Sequence, residues 1–363
     1  LTPVEVSQAG VLEGRTITAV STGYLHNLAL CSDGTLAAWG YDAYGQLGNG
    51  PDGRSEVPVQ VDQSGVLADR TVVAISAGPF HNLGLCSDGS VVSWGFNNHG
   101  QLGTGDLLTR RAPVLVPPLG ALAGKQVVGV AAGGYQSFAL CADGSVAAWG
   151  YNDEGELGDG TTEGRLVPVS VDPAGVLAGR RVASLSAGQY HALALCTDGT
   201  LVAWGYNRHG QLGVGTTESS VVPLEVNSFG ALAGRTVVAI AAADAHSVAL
   251  CDDGTLAAWG ANRRSQLGLA GADGSTIPVV VDSPLIAAGG GISLVGGGRY
   301  HGLLRLADGT LAAWGDNSGG QLGNGASTTE TGLTLVDVGA HDPEMRFMFV
   351  ARGSGTQHSL AVA

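Results

Sequence analysis

The chain has 363 residues with 60 Gly, 44% apolar and 13% charged residues, and a net charge of −14 at neutral pH. The apolar fraction excludes intrinsic disorder, and glycine this abundant without a triplet period indicates tight turns rather than a fibrous helix. A single lysine, Lys125, and an acidic surface exclude electrostatic binding to nucleic acid or anionic membranes, and there is no run of about 18 apolar residues to insert into a bilayer.

A ruler of 55 residues runs through the chain. It spaces Trp39, Trp94, Trp149, Trp204, Trp259 and Trp314, the cysteines Cys31, Cys86, Cys141, Cys196 and Cys251, and six Asp-Gly pairs from Asp33-Gly34 to Asp308-Gly309. Three residue types on one period identify an internal repeat. In chain order, residues 1–6 match the outer strand of the next copy at 56–61. One complete copy is then read at residues 65–116. Residues 71–78, small and β-branched, predict a first strand, and residues 81–86, apolar at alternate positions, predict a second. Asp88-Gly89 predicts a tight hairpin, because such turns need positive φ. Residues 90–95 predict the return strand, 100–105 a glycine-rich loop and 112–116 an outer strand, where Pro113 is tolerable at an edge.

Further along, the His strand recurs at His26, His81, His191, His246, His301 and His358, with Gln136 in the third place, whereas the Trp strand occurs six times. The connection at 286–292 departs from the Leu-Ala-Gly-Arg pattern, and the last one, around 341–346, diverges most. Residues 358–363 match 26–31 and stop there.

Four short antiparallel strands per repeat, with no helical period, predict a propeller, whose blades bury their faces only against neighbours. The expected fold is all-β: one domain over residues 1–363, a seven-bladed β-propeller of about four-stranded antiparallel blades. Its seventh blade is expected to be closed by both termini, from residues 1–6 and 347–363, and to lack the equivalent of 32–55. Because that segment is missing from the seventh copy, about 24 further residues with a seventh Trp-Gly are expected in the parent polypeptide, in the simplest case before Leu1. The alternative is an open blade filled by another chain or domain.

The run Gly188, His191, Asp198-Gly199, Trp204-Gly205, Asn207, Gly210-Gln211-Leu212-Gly213 and Gly215 resembles the repeat of the regulator-of-chromosome-condensation family. The resemblance covers essentially the whole chain. It implies a seven-bladed ring but no single function, since one fold hosts many. The family's namesake is a guanine-nucleotide exchange factor for a small GTPase. That activity depends on a wedge inserted in one blade, for which constant 55-residue spacing leaves no room.

Equivalent histidines sit one per blade and do not converge as a metal site requires, so they are read as buried groups bonded to backbone in a neighbouring loop. The cysteines, odd in number and a blade apart, are read as reduced, buried hydrophobes. The tryptophans are read as wedges between blades. Arg15, Arg70, Lys125, Arg180 and Arg235 are expected to lie over their own blades or pair with nearby acids. No phosphate loop, calcium loop or nucleophile elbow is present, so no catalytic residue, metal or cofactor is expected.

Positions that repeat build the scaffold, and positions that vary between copies are free to specify a partner. Before the His position stand Phe80, Tyr135, Tyr190 and Tyr300; after Trp-Gly stand Tyr44, His99, Glu154, Arg208, His209, Arg263 and Arg264. A third variable zone follows the glycine loop, including 106–111. Aromatics and arginine are the types enriched at interface hot spots. The expected function is a non-enzymatic scaffold that binds another protein through loops on one face, with neither nucleic acid nor membrane insertion, either alone or within a larger polypeptide or assembly. The alternative is guanine-nucleotide exchange on a small GTPase. High Gly and Ala with one Lys favours a bacterial, extracellular or cell-surface source.

Overall fold

The second repeat shows why the chain folds as it does. In the computed structural model, which describes residues 2–50, 53–271, 273–338, 347–350 and 358–362, this repeat forms strands Val72–Ala77, His81–Cys86, Val91–Gly95 and Arg110–Leu115 in an antiparallel meander. His81 pairs with Gly95 and Asn82 with Trp94, which fixes the register of the central hairpin. All six residues of His81–Cys86 are buried, so both faces of this strand are covered. One sheet cannot do that by itself.

The same four-stranded sheet recurs over residues 17–60, 127–170, 182–225, 237–280 and 292–335. The hydrophobic core lies between the sheets. Leu28, Leu30, Leu36 and Leu47 of the first blade cluster with Val72, Cys86, Val92 and Trp94 of the second. Each wedged tryptophan removes about 150–250 Å² from water, on the order of 4–6 kcal/mol at about 25 cal/mol/Å². Connections between blades carry three-residue 3-10 turns such as Gly65–Leu67, replaced before the sixth blade by a short α-helix, Pro284–Ala288. No helix among the described residues is long and apolar enough to cross a membrane.

Two expectations need correction. The described residues make six four-stranded blades, not seven. The copy around His358 contributes only a two-stranded sheet, Phe349–Val350 with Ala361–Val362, because it has no tryptophan strand or outer strand to extend it. This small sheet lies between the sixth blade and the first. Residues 2–7 form no strand with it; Val6 instead packs on Leu12 and Cys31 of the first repeat. Of the segments expected there, 1, 341–346, 351–357 and 363 lie outside the described residues.

Neighbouring blades are joined by a polar relay. Nε1 of Trp149 donates to the carbonyl of Gln101 in the preceding blade at 2.9 Å, and Ser137 Oγ donates to the same carbonyl at 2.8 Å. Since that hydroxyl proton is committed, Nε2 of His81, 2.9 Å from Ser137 Oγ, must be the donor, which fixes the histidine tautomer. The relay repeats with His191, Ser247 and Gln211, and with His301, Ser359 and Gln321. His26 donates to Asn82 and His358 to Asn27, so the two-stranded sheet is held at both sides by the same device. For His26, His81, His191, His301 and His358 the expected backbone acceptor is therefore a side chain of the next copy, while Gln136, in the third copy, donates to the carbonyl of Gly188. Gly302 occupies the relay position opposite His246, and neither ring nitrogen of His246 finds a partner among the described residues.

The five cysteines are free and buried. The repeating cations pair with acids of their own blades, Arg15 with Asp33, Arg70 with Asp88, Lys125 with Asp143, Arg180 with Asp198 and Arg235 with Asp253.

Burial holds the relay histidines neutral, pushing His81, His191 and His246 down to about 3 and His26 and His301 down to about 4. Their unfolded values lie near 6.5, so as pH falls the unfolded chain takes up protons first. The stability they contribute is complete above about pH 6.5 and is lost progressively towards pH 4 and below. His191→Gln, which copies the third blade, is expected to reduce the slope of unfolding free energy against pH between 6 and 4 by about one proton, or about 1.4 kcal/mol per pH unit. Urea titrations at stepped pH measure this, and an unchanged slope contradicts it.

Candidate functional site

Strand direction decides which side chains can gather. Each second strand runs from the His position (Gln136 in the third copy) to the Cys position (Leu306 in the sixth), and each third strand returns from the Asp-Gly hairpin to Trp-Gly. Residues before His and after Trp-Gly therefore meet at one end of the blade, and the hairpins mark the other. A backbone hydrogen bond fastens the two loops. The amide of Phe96 donates to the carbonyl of Phe80 at 2.9 Å, Tyr151 to Tyr135 at 2.9 Å, Tyr206 to Tyr190 at 2.8 Å and Asp316 to Tyr300 at 2.9 Å. Glycine permits this approach: a Cβ on Gly95, whose φ is +107°, would stand 2.5 Å from the Phe80 carbonyl oxygen. Beyond it, Asn97 folds the loop, its Oδ1 accepting from the amide of Leu102 and its Nδ2 donating to the carbonyls of Asp106 and Leu108.

On this frame the variable side chains form a continuous arc. In one row, Tyr24 meets Phe80 at 5.9 Å between ring centroids, Phe80 meets Tyr135 at 6.1 Å and Tyr135 meets Tyr190 at 6.3 Å. A second row backs it, pairing Phe96 with Phe80 at 6.2 Å, Tyr151 with Tyr135 at 6.4 Å and Tyr206 with Tyr190 at 6.2 Å. Tyr44 lies 4.8 Å from Phe96, His99 sits 5.0 Å from Tyr135 and 5.2 Å from Tyr151, and His209 lies 6.1 Å from Tyr206. Offset and edge-on pairs of this kind contribute about 0.5–1.5 kcal/mol each and hold the rings in place.

The fifth and sixth blades change the chemistry of the face. Ala245 and Ala261 take the two aromatic places of the fifth copy. Arg299 then bridges three blades. Its Nε lies 3.1 Å from Asp244 Oδ2, its Nη1 donates to the Tyr24 hydroxyl at 3.2 Å, and its guanidinium stands 5.5 Å from the Tyr24 ring and 4.8 Å from the Tyr300 ring. Arg264 approaches Tyr300 at 5.8 Å and Asp316 at 3.4 Å. Glu154 is held by Arg208 at 3.4 Å and by the Ser219 hydroxyl at 2.8 Å. Arg263 is exposed.

The structure thus brings Phe80, Tyr135, Tyr190, Tyr44, His99 and His209 into one arc, places Tyr300 with Arg264, and pairs Glu154 with Arg208. Sequence reasoning placed Tyr24, Phe96, Tyr151, Tyr206, Asp244 and Arg299 in the variable zones but did not select them as binding residues. Their signal was present, as an aromatic one residue after Trp-Gly in four copies, Tyr41 included, and as a residue two before His that varies in every copy. Among the described residues no group of three His, Cys, Asp or Glu is placed to hold a metal.

Comparison with known proteins gives consistent results. The sequence profile of the RCC1-like domain matches residues 1–294 and, overlapping, 108–363. The ultraviolet-B receptor UVR8 of Arabidopsis thaliana is 31% identical over 96% of this chain and 75% of its own length. The human E3 ubiquitin-protein ligase HERC2 is 34% identical over 82% of this chain, which spans 6% of that protein. The crystal structure of Prp20p from Saccharomyces cerevisiae, described with its binding to Gsp1p and histones, superimposes with a TM-score of 0.81 at 23% identity, over 95% of this chain and 82% of that one. At that identity the likeness shows the fold alone. All three are eukaryotic proteins.

One buried group beneath the arc departs from its repeat. Gln46, Gln101, Gln211, Gln266 and Gln321 share a position at which the fourth-blade boundary has Glu156. Its Oε2 accepts the amide of Glu154 at 2.9 Å, and Oε1 is buried without a partner. Burial, with Glu154 and Asp153 nearby, raises its carboxyl to about 7. The folded chain therefore keeps a proton that the unfolded chain loses near pH 4.5, so the stability Glu156 contributes is complete below about pH 4.5 and is lost as pH rises through 7. Glu156→Gln is expected to remove that loss and to raise stability at pH 8 by about 3 kcal/mol, with little effect at pH 5. Denaturant midpoints at the two pH values check it; equal effects at both contradict it.

Proposed function

The chain belongs to the RCC1-like domain family, and we propose that it is a non-enzymatic protein-binding propeller that docks a partner through the aromatic and arginine face. One observation carries this reading: aromatic and arginine side chains that vary between copies are gathered at one end of the blades, while the repeated tryptophans are spent inside them. The six tryptophans are at most 9% exposed, so the repeated aromatics build the ring and the variable ones are left for recognition. Tyrosine, phenylalanine and arginine held in place beforehand lose little conformational freedom on binding, which suits an interface hot spot. The opposite face offers the paired cations of the Asp-Gly hairpins, whose charges are already neutralised.

The family's relatives support a scaffold reading. Prp20p is described by its binding to Gsp1p and histones, and in HERC2 the region that matches this chain is a small part of a much larger ligase. The bacterial, extracellular source rests on composition alone.

The test compares the two faces. With a partner captured by the full chain, Tyr44→Ala and His99→Ala are expected to weaken binding by about 1 kcal/mol or more each, roughly fivefold, with the melting temperature moved by no more than about 3 °C. Arg70→Ala on the opposite face is expected to leave affinity unchanged. Affinity lost through Arg70→Ala and retained in both aromatic variants overturns the reading.

A further inference from the structure

The aromatic arc contains one place built for a ring that the chain does not supply. In three copies the residue before His is backed by an aromatic after Trp-Gly, as Phe80 by Phe96, Tyr135 by Tyr151 and Tyr190 by Tyr206, always at 6.2–6.4 Å. The sixth copy keeps the first ring, Tyr300, and the same backbone hydrogen bond, but has Asp316 in place of the second ring and Gly319 where the fourth copy has His209. A cavity of about 210 Å³ opens there, lined by Arg264, Arg299, Tyr300, Asp316 and Ser318 among others.

We propose that this cavity is a socket for a tyrosine side chain presented by the partner, its ring completing the missing pair with Tyr300 and its hydroxyl bonding Asp316. The walls suit that guest. Tyr300 offers a ring face, and the guanidiniums of Arg264 and Arg299 already stand 5.8 and 4.8 Å from the Tyr300 centroid, so a second ring enters a cation–π stack. Arg299 is fixed by Asp244 and by the Tyr24 hydroxyl, so the socket is formed before binding. At the floor, Asp316 is nearly buried and accepts from Ser318 Oγ at 3.0 Å and Gln321 Nε2 at 2.9 Å on one oxygen. Among the described residues its other oxygen has only the 3.4 Å contact with Arg264, which leaves it capacity for a phenol donor. An acidic guest is disfavoured, because each arginine is already faced by its own carboxylate and Asp316 would repel it.

The inference rests on the docking face proposed above but is tested without any partner. In the full chain, the Nε–H signals of Arg264 and Arg299 are followed by NMR during titration with p-cresol, toluene, acetate and phenyl phosphate. p-Cresol is expected to bind about tenfold more tightly than toluene or either anion, the difference being one hydrogen bond to a charged acceptor. Asp316→Tyr, which fills the socket from within, should abolish p-cresol binding. Asp316→Ala, which keeps the space and removes the acceptor, should reduce p-cresol to the level of toluene. Acetate or phenyl phosphate binding as well as p-cresol, or p-cresol binding unchanged in Asp316→Tyr, overturns the socket. Either result leaves the docking face standing, since that depends on Tyr44 and His99.

Discussion

The ring depends on a single shared acceptor. In five loops of the Gly-Gln-Leu-Gly type the carbonyl at the glutamine position faces the next blade and takes the indole proton of its tryptophan, Gln46 for Trp94, Gln101 for Trp149, Glu156 for Trp204, Gln211 for Trp259 and Gln266 for Trp314. A wedge of about 200 Å² would seat itself for hydrophobic reasons alone, but its buried N–H must be satisfied, and that requirement fixes its depth and orientation. The loop follows the wedge closely: a Cβ on Gly48 would stand 2.7 Å from Trp94 Nε1. Through the same carbonyl, the Ser or Asn of the relay brings in the preceding histidine. At Gln46, Gln101 and Gln211 indole and imidazole thus converge on one atom, whereas among the described residues the Glu156 and Gln266 carbonyls take the indole without the relay and the Gln321 carbonyl takes the relay serine.

This constraint explains how varied side chains are displayed at one end of the blades. The loop that carries the shared carbonyl also carries Tyr44, His99, Glu154, His209 and Arg264, two residues before it. In each of these copies the Gln or Glu side chain accepts the amide of that very residue, as Gln101 does for His99 at 3.0 Å and Gln266 for Arg264 at 2.8 Å. The scaffold contact and the display of a variable side chain are made by the same residue, so the face can change its chemistry without loosening the ring. Glu156 is a substitution in the scaffold itself. It keeps the backbone contact to Trp204 while placing a carboxyl where other copies have an amide.

Much of this was legible in the sequence, because period and residue type carry physical meaning. Trp94, Cys86 and the Asp88-Gly89 turn located the strands of the repeat to within about two residues, and the loops around Phe80 and His99 were identified as the variable zone. The blade count was not legible. Seven His strands promised seven blades, but a strand becomes a blade only when it finds partners, and among the described residues the copy around His358 forms a two-stranded sheet, Phe349–Val350 with Ala361–Val362. Nor could sequence reveal the role of Arg299. Its contacts with Asp244 and Tyr24 join residues 55 and 275 apart, and only ring closure brings them together.

The central claim is that the indole–carbonyl contacts are shared load between blades rather than incidental to wedge burial. Native-state hydrogen exchange of the six indole Nε1–H groups tests it directly, since each reports the opening of its own boundary. The account predicts that Trp94, Trp149, Trp204, Trp259 and Trp314 exchange together, through one cooperative opening with the free energy of global unfolding. Trp39, which retains 9% exposure while those five retain none, is predicted to exchange well before them. Five independent and widely spread rates, or rates as fast as that of Trp39, would contradict it.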